Sequence, residues 1–327
     1  MFHLFAIYLF LTSFIETYHS SDIKRGLAYI FIDVLSVFLW YSMRNKKKNL
    51  QTLILFANSN HHLSGASVNK NYDLLINNCI LINVISTILL ATLFTCLAHG
   101  EDDAVKFWTF GVECQSKTYK TVLNFIGGLA YYAVYTEYPS FFALSICILV
   151  YRYGLILRHF NEYIKNMDFS TISNKCFEIA NTYFVVEEKV RLLKDTLSLS
   201  LFLMLVSGFF NIYTALSNVL TNEIPLYVSV ELSSNAFTGG MIIFLLTIYC
   251  SRIPEYMIAI RQTLGSVIDK NQIAKLNMAT ELRLLKRIEN KDAIYMSAVG
   301  VIYFKKSFLL PAFGTVLTYS VLIVKLN

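Results

Sequence analysis

Apolar residues in this chain fall in long, nearly unbroken runs. They do not alternate as in a half-buried strand, and few form the single stripe of a soluble helix. Seven such runs predict an all-α protein with seven membrane-spanning helices, at about residues 2–18, 26–43, 74–98, 130–153, 197–220, 227–250 and 307–325. The region 122–157 is too long for one straight span, and Gly127-Gly128 and Pro139 predict a bend or a start inside it. Residues 2–18 compete with a secretory signal peptide. No basic segment precedes them and no small-residue cleavage site precedes His19, so they are expected to remain as the first span. The chain is expected to end with the seventh.

Two polar intervals carry a helical pattern of their own. Ile172, Cys176, Ile179, Tyr183, Val186, Val190 and Leu193 repeat by four and three, an apolar seam with Glu187, Glu188, Lys189, Arg191 and Lys194 off it and expected to stay wet. Ala274, Met278, Leu282, Leu285 and Ile288 form a second stripe, with Arg283, Lys286 and Arg287 on other faces. Helices are therefore predicted over about 172–194 and 262–290. Each suits packing on the membrane surface or its own bundle, and together they suit an anchor between subunits.

Composition and charge narrow the class. With 55% hydrophobic and 15% charged residues and a mean hydropathy of +0.51, the 327 residues are not a soluble globular domain. No change of composition marks a second domain, so 1–327 reads as one unit. With the N-terminus inside, the cytoplasmic loops 44–73, 152–196 and 251–306 hold 22 of the 28 Lys and Arg. The positive-inside rule thus favours a cytoplasmic N-terminus and an extracellular C-terminus, opposite to a G-protein-coupled receptor. The net charge of +6 lies beside apolar spans, which points to membrane lipids as partners and against nucleic acid. The six Cys form no C-x-x-C pair and read as small buried hydrophobes. His61-His62 lack a second ligand pair, and no phosphate loop, nucleophile elbow or zinc-protease motif occurs. Neither enzyme activity, nor a metal, nor a cofactor is expected.

The last span holds a more specific pattern. Thr318-Tyr319 are followed by five largely apolar residues and then Lys325 and Leu326. Thr318, Leu322 and Lys325 share one helical stripe, able to face a partner helix or a pore. Gly300 stands about eighteen residues earlier, and Lys305-Lys306-Ser307 follow it. This resembles the arthropod gustatory receptors, relatives of the insect odorant receptors. Their chains end in Thr-Tyr, five apolar residues, Gln and Phe, after a Gly at that distance and an acid–base pair before Ser. The chain departs from them at Lys305, usually an acid, and at Lys325, usually Gln. By motif the resemblance covers about residues 296–326; by span count and orientation it covers the whole chain.

The resemblance implies a ligand-gated cation channel at the plasma membrane, a homo- or hetero-tetramer of related receptors over a cytoplasmic anchor, opened by a small-molecule tastant. The final span would line the pore, which makes Thr318, Tyr319, Leu322 and Lys325 the pore and gate candidates. Leu322 or a neighbour would form an apolar constriction. The family's ligand pocket opens among the outer halves of the helices. Those halves hold Tyr131, Tyr132, Tyr135, Glu137, Tyr138, Asn211, Tyr213, Glu231 and Asn235, with Asp33 nearer mid-membrane. Carboxylates at membrane depth face a cavity or a partner, so Asp33 and Glu231 stand out; each Tyr also suits an aromatic belt or helix packing. A secondary transporter is the rival from another class, although it calls for an internal repeat that is not visible here. A non-conducting structural subunit of the same fold is the other.

Overall fold

A computed structural model describes residues 2–19, 23–59, 70–167, 169–221, 224–273 and 279–326. The chain is mostly helical. Helix α1 (Phe2–His19) packs along α2 (Ile23–Asn45), and α3 (Lys47–Ser59) follows at once. Helix α4 (Lys70–Leu97) lies against α6 (Lys117–Tyr132), with the short α5 (Asp102–Trp108) between them in sequence. A π-helical turn, Ala133–Glu137, joins α6 to α7 (Tyr138–Lys165). After α8 (Phe169–Asn174) come two very long helices, α9 (Cys176–Thr221) and α10 (Leu226–Ile273), which pack on each other while α10 also packs on α7. Helix α11 (Ala279–Glu289), a hairpin of β1 (Ser297–Ala298) and β2 (Ile302–Tyr303), a 3-10 turn (Lys306–Phe308) and α12 (Leu309–Leu326) complete the order.

Among the described residues, four helical segments are long and apolar enough to cross a membrane: Leu74–Leu97, Lys117–Lys165, Cys176–Val219 and Leu226–Asp269, with a shorter apolar helix at His3–Ile15. Helix α4 turns outward a run of large apolar side chains, including Leu74, Leu75, Leu81, Ile82 and Leu89, each more than half exposed. Such a face belongs in lipid or against another chain, which identifies a multi-pass membrane protein. Cys96 shares the exposed surface, so it is not the buried hydrophobe expected; Cys147, Cys176 and Cys250 are buried.

The helices differ from the spans read in the sequence in three places. The segment set at 130–153 belongs to one run from Lys117 to Lys165. Its discontinuity is the π turn rather than a break, because Pro139 has no N–H to give the carbonyl four residues back and the helix widens to accommodate it. Gly127-Gly128 do not bend the helix. They bring neighbours close: a Cβ on Gly127 would stand 2.2 Å from the Trp108 ring, and one on Gly128 3.2 Å from Phe94. The predicted helix 172–194 is interrupted by a turn at Lys175, and from Cys176 onward it is continuous with the segment 197–220. Nothing between Lys194 and Ser198 is Gly or Pro, and α9 runs unbroken for 46 residues. Helix α10, 48 residues, runs likewise through Pro254. At 1.5 Å per residue each is about 70 Å long, more than twice the roughly 30 Å of hydrocarbon.

The seam is buried throughout, Ile172 on α8 and Cys176, Ile179, Tyr183, Val186, Val190 and Leu193 on α9 each being less than 5% exposed. It is consumed inside the chain, in the same core as α7 and α10 and against α11. From the second stripe, Leu285 and Ile288 are buried in that core; Ala274 and Met278 lie outside the described residues, as does the side chain of Leu282. Glu187, expected to be wet, is 3% exposed. Arg191 Nη2 lies 2.8 Å and Lys291 Nζ 2.5 Å from its oxygens, so the burial is matched by charge. The hairpin was not expected. Val299 (φ 52°) and Gly300 (φ 71°) are the central residues of its turn, which the Val301 N–H closes on the Ala298 carbonyl at 3.0 Å within a three-residue loop, and Ser198 Oγ accepts the Val299 N–H at 2.9 Å.

Candidate functional site

Around the start of α10 the bundle forms a half-open cavity of about 680 Å³. Five parts of the chain line it: Thr12 and Ile15 of α1, Tyr29 of α2, Phe94 of α4, most of α5 with Phe110 and Gly111, and Pro225, Tyr227 and Glu231 at the start of α10.

Helix α5 forms one wall because the turns around it are fixed locally. Gly100 (φ 94°) releases the chain from α4, and Phe110 (φ 56°) with Gly111 (φ 84°) turns it toward α6. Asp102 and Asp103 occupy its first turn, where the helix dipole favours negative charge. Lys120 pairs with Asp102 and holds that carboxyl below the usual carboxylate range. Glu113, 3.1 Å from the Lys106 ammonium, holds the lysine above its ordinary value. Trp108 then drops onto Gly127, stacks 6.5 Å from Tyr8 and meets the edges of Phe94 and Phe107, while the Tyr8 hydroxyl donates to its carbonyl at 2.7 Å.

Behind this wall is a buried layer of tyrosines and carboxylates. Glu231, 7% exposed, accepts a hydrogen bond from Tyr29 Oη at 3.0 Å. Tyr131 accepts one from Asn235 Nδ2 at 2.5 Å. Its ring lies edge-on to Tyr29 and Tyr132 and 4.4 Å from Tyr135. Tyr135 Oη donates at 2.6 Å to Asp33, whose other oxygen faces Ser13 Oγ at 3.5 Å. A phenol thus donates to each carboxylate, offsetting part of what burial costs it.

Six of the residues named from the sequence, Asp33, Tyr131, Tyr132, Tyr135, Glu231 and Asn235, therefore meet in one layer, and Glu231 alone among them lines the large cavity. Asn211 lies apart, buried beside Tyr135 at a second cavity of about 10 Å³, too small for a ligand. Glu137 and Tyr138 make other contacts: the Glu137 backbone carbonyl accepts from Asn83 on α4, and the Tyr138 ring packs on Phe142. Tyr213 is 48% exposed, on the outside of α9. Of the pore candidates, Thr318 is exposed and its hydroxyl donates to the Gly314 carbonyl one turn back in the same helix (2.8 Å), and Leu322 is 48% exposed. The side chains of Tyr319 and Lys325 lie outside the described residues, as do His61 and His62. The sequence reading missed Tyr29 and the ring-bearing residues of α5. A tyrosine near a span end looks like an interfacial belt, and aromatic residues in a polar loop carry no periodic signal.

No family model matches this sequence, and no curated protein matches it. Among solved structures the chain is similar to the insect olfactory receptor OR5 from Machilis hrabei, with a TM-score of 0.68 and 12% identity over 99% of this chain and 87% of that one. The same receptor in complex with eugenol gives a TM-score of 0.64 and 13% identity, covering 99% and 88%. At this identity the likeness is one of fold: the chain folds like an insect olfactory receptor from end to end.

Proposed function

We propose that the protein is a chemosensory receptor of the odorant and gustatory receptor kind, acting as a ligand-gated cation channel in the plasma membrane. The observation that carries this reading is the ring-lined cavity with a carboxylate at its back, in a fold whose solved relative has been captured with the small aromatic molecule eugenol. In this reading the N-terminus is cytoplasmic, as the 22 inward Lys and Arg favour. Seven helices span, α1 and α12 among them, and the cavity opens outward. The ends of α9 and α10 that outrun the membrane project into the cytoplasm. Four copies assemble around α12, whose exposed Leu310, Phe313, Leu317 and Leu322 then face partners and the pore. Because the α9 seam is used within the chain, the anchor between subunits draws on surfaces it leaves exposed, such as Phe177, Val301 and Tyr303. The gustatory branch is favoured by the ending Thr318-Tyr319 with five apolar residues after it. A ligand opens the channel only by binding the open state more tightly than the closed one.

A second reading, a subunit that conducts only beside a partner, rests on Lys325. Four ammonium groups at a pore mouth would oppose cations. One experiment addresses both: recording from the purified chain in a planar bilayer, native and Lys325→Gln. Unitary cation currents from the native chain support the homomeric channel. Currents only from Lys325→Gln support the partner-dependent subunit, and silence from both at verified insertion removes the channel reading.

A further inference from the structure

We propose that the 680 Å³ cavity selects a positively charged ligand, an organic amine on an apolar or aromatic body, over a neutral one of the same shape. The inference rests on reading the cavity as the ligand site, and adds the chemical class.

Ring density is the first argument. Tyr29, Phe94, Phe107, Trp108, Phe110 and Tyr227 all line the space. The faces of aromatic rings are electrostatically negative, and several rings around one point recognise an ammonium better than a neutral group, with Trp the strongest of them.

The second argument is charge. Glu231 lies at the back of the cavity and Asp103 at its edge. The basic residue in the lining is Lys106, and its ammonium already faces Glu113 at 3.1 Å. The lining therefore presents two carboxylates against one committed cation.

The third argument decides between a charged and a neutral occupant. Tyr29 Oη holds the Glu231 carboxylate on the cavity wall at 3.0 Å, and because a carboxylate accepts several donors at once, an arriving ammonium adds to that bond. A neutral ligand that fills the cavity displaces water from that carboxylate and returns nothing for the lost solvation. An ammonium returns a charge-assisted hydrogen bond and a ring contact at once. With about 680 Å³ available, one phenyl-sized body fits beside the charged group.

The test uses a matched pair of probes, 2-phenylethylamine and 2-phenylethanol, which share ring and chain length and differ in charge at neutral pH. Binding to the purified full-length chain is read from tryptophan emission. The sequence holds two Trp, so Trp40→Phe leaves Trp108 in the cavity wall as reporter. The amine is expected to bind about tenfold tighter than the alcohol, the scale of a desolvated cation–ring contact. Glu231→Gln is expected to bring the two within about threefold by weakening the amine alone, and Glu231→Asp to keep the preference, as expected for charge recognition. Asp103→Asn, at the exposed edge, does not challenge folding and should lower amine affinity by a smaller factor. Equal or tighter binding of the alcohol overturns the proposal, as does a preference that survives both Glu231→Gln and Asp103→Asn, or no binding of either probe. The readout needs no conductance. Amine-selective binding without current would count against the channel reading alone.

Discussion

Glu231 and Asp33 could be read from the sequence because a charge inside an apolar run is costly enough to demand an explanation. What surrounds them could not, because each is clad by tyrosines from other helices. Tyr29 reaches Glu231 across 202 positions, and Tyr135 reaches Asp33 across 102. No local spacing encodes such a pair. Glycines divide in the same way. A Cβ on Gly239 would stand 2.6 Å from the Gly208 carbonyl oxygen, a backbone atom that cannot swing aside, whereas one on Gly240 meets nothing closer than 4.0 Å. Gly239→Ala is expected to cost about 1–3 kcal/mol through overpacking of α9 on α10. Gly240→Ala should be neutral or stabilising by up to about 1 kcal/mol, because alanine suits a helix better. Thermal unfolding of the two variants in the same detergent checks this, and equal loss in both would contradict the close approach.

At the scale of elements, hydrophobic periodicity located the α9 seam correctly but not its partners. A four-three repeat says that a face is covered, not by what. The covering comes from α7, α10 and α11, and it also closes over Glu187. Lys291, which answers that buried charge, is 104 residues away and invisible to any helix pattern. Lys291 is the more enclosed partner, with its side chain 29% exposed against 62% for Arg191. Lys291→Ala should therefore cost more, about 2–3 kcal/mol, because it leaves a buried carboxylate half answered. Arg191→Ala should cost under about 1 kcal/mol, as solvent screens that pair. Adding Glu187→Gln to Lys291→Ala should recover part of the loss, since no buried charge then remains. Denaturant titrations of the four proteins measure the order, and a larger loss in Arg191→Ala would reverse the assignment.

For the whole molecule, long apolar runs announce a membrane protein because hydrocarbon sets both the length and the polarity of what crosses it. The same rule could not limit α9 and α10. They continue as helices far beyond hydrocarbon thickness, and their polar halves look like loops until the seam is noticed. The cavity is a whole-molecule property in the full sense. Its walls come from α1, α2, α4, α5 and α10, and no single stretch of sequence predicts a space between them.

The central claim is that occupancy of this space controls conduction. Ala104 lines the cavity, so Ala104→Cys, in a chain whose Cys96 and Cys114 are replaced by Ser, allows a benzyl methanethiosulfonate to tether a ring there without knowledge of the natural ligand. Recording in a planar bilayer before and after modification reads the open probability. If Lys325 silences the native pore, the same modification is made on the Lys325→Gln background. The account predicts a change of several-fold on modification, reversed by a reducing agent. Channels that open and close with unchanged probability after complete modification would contradict it.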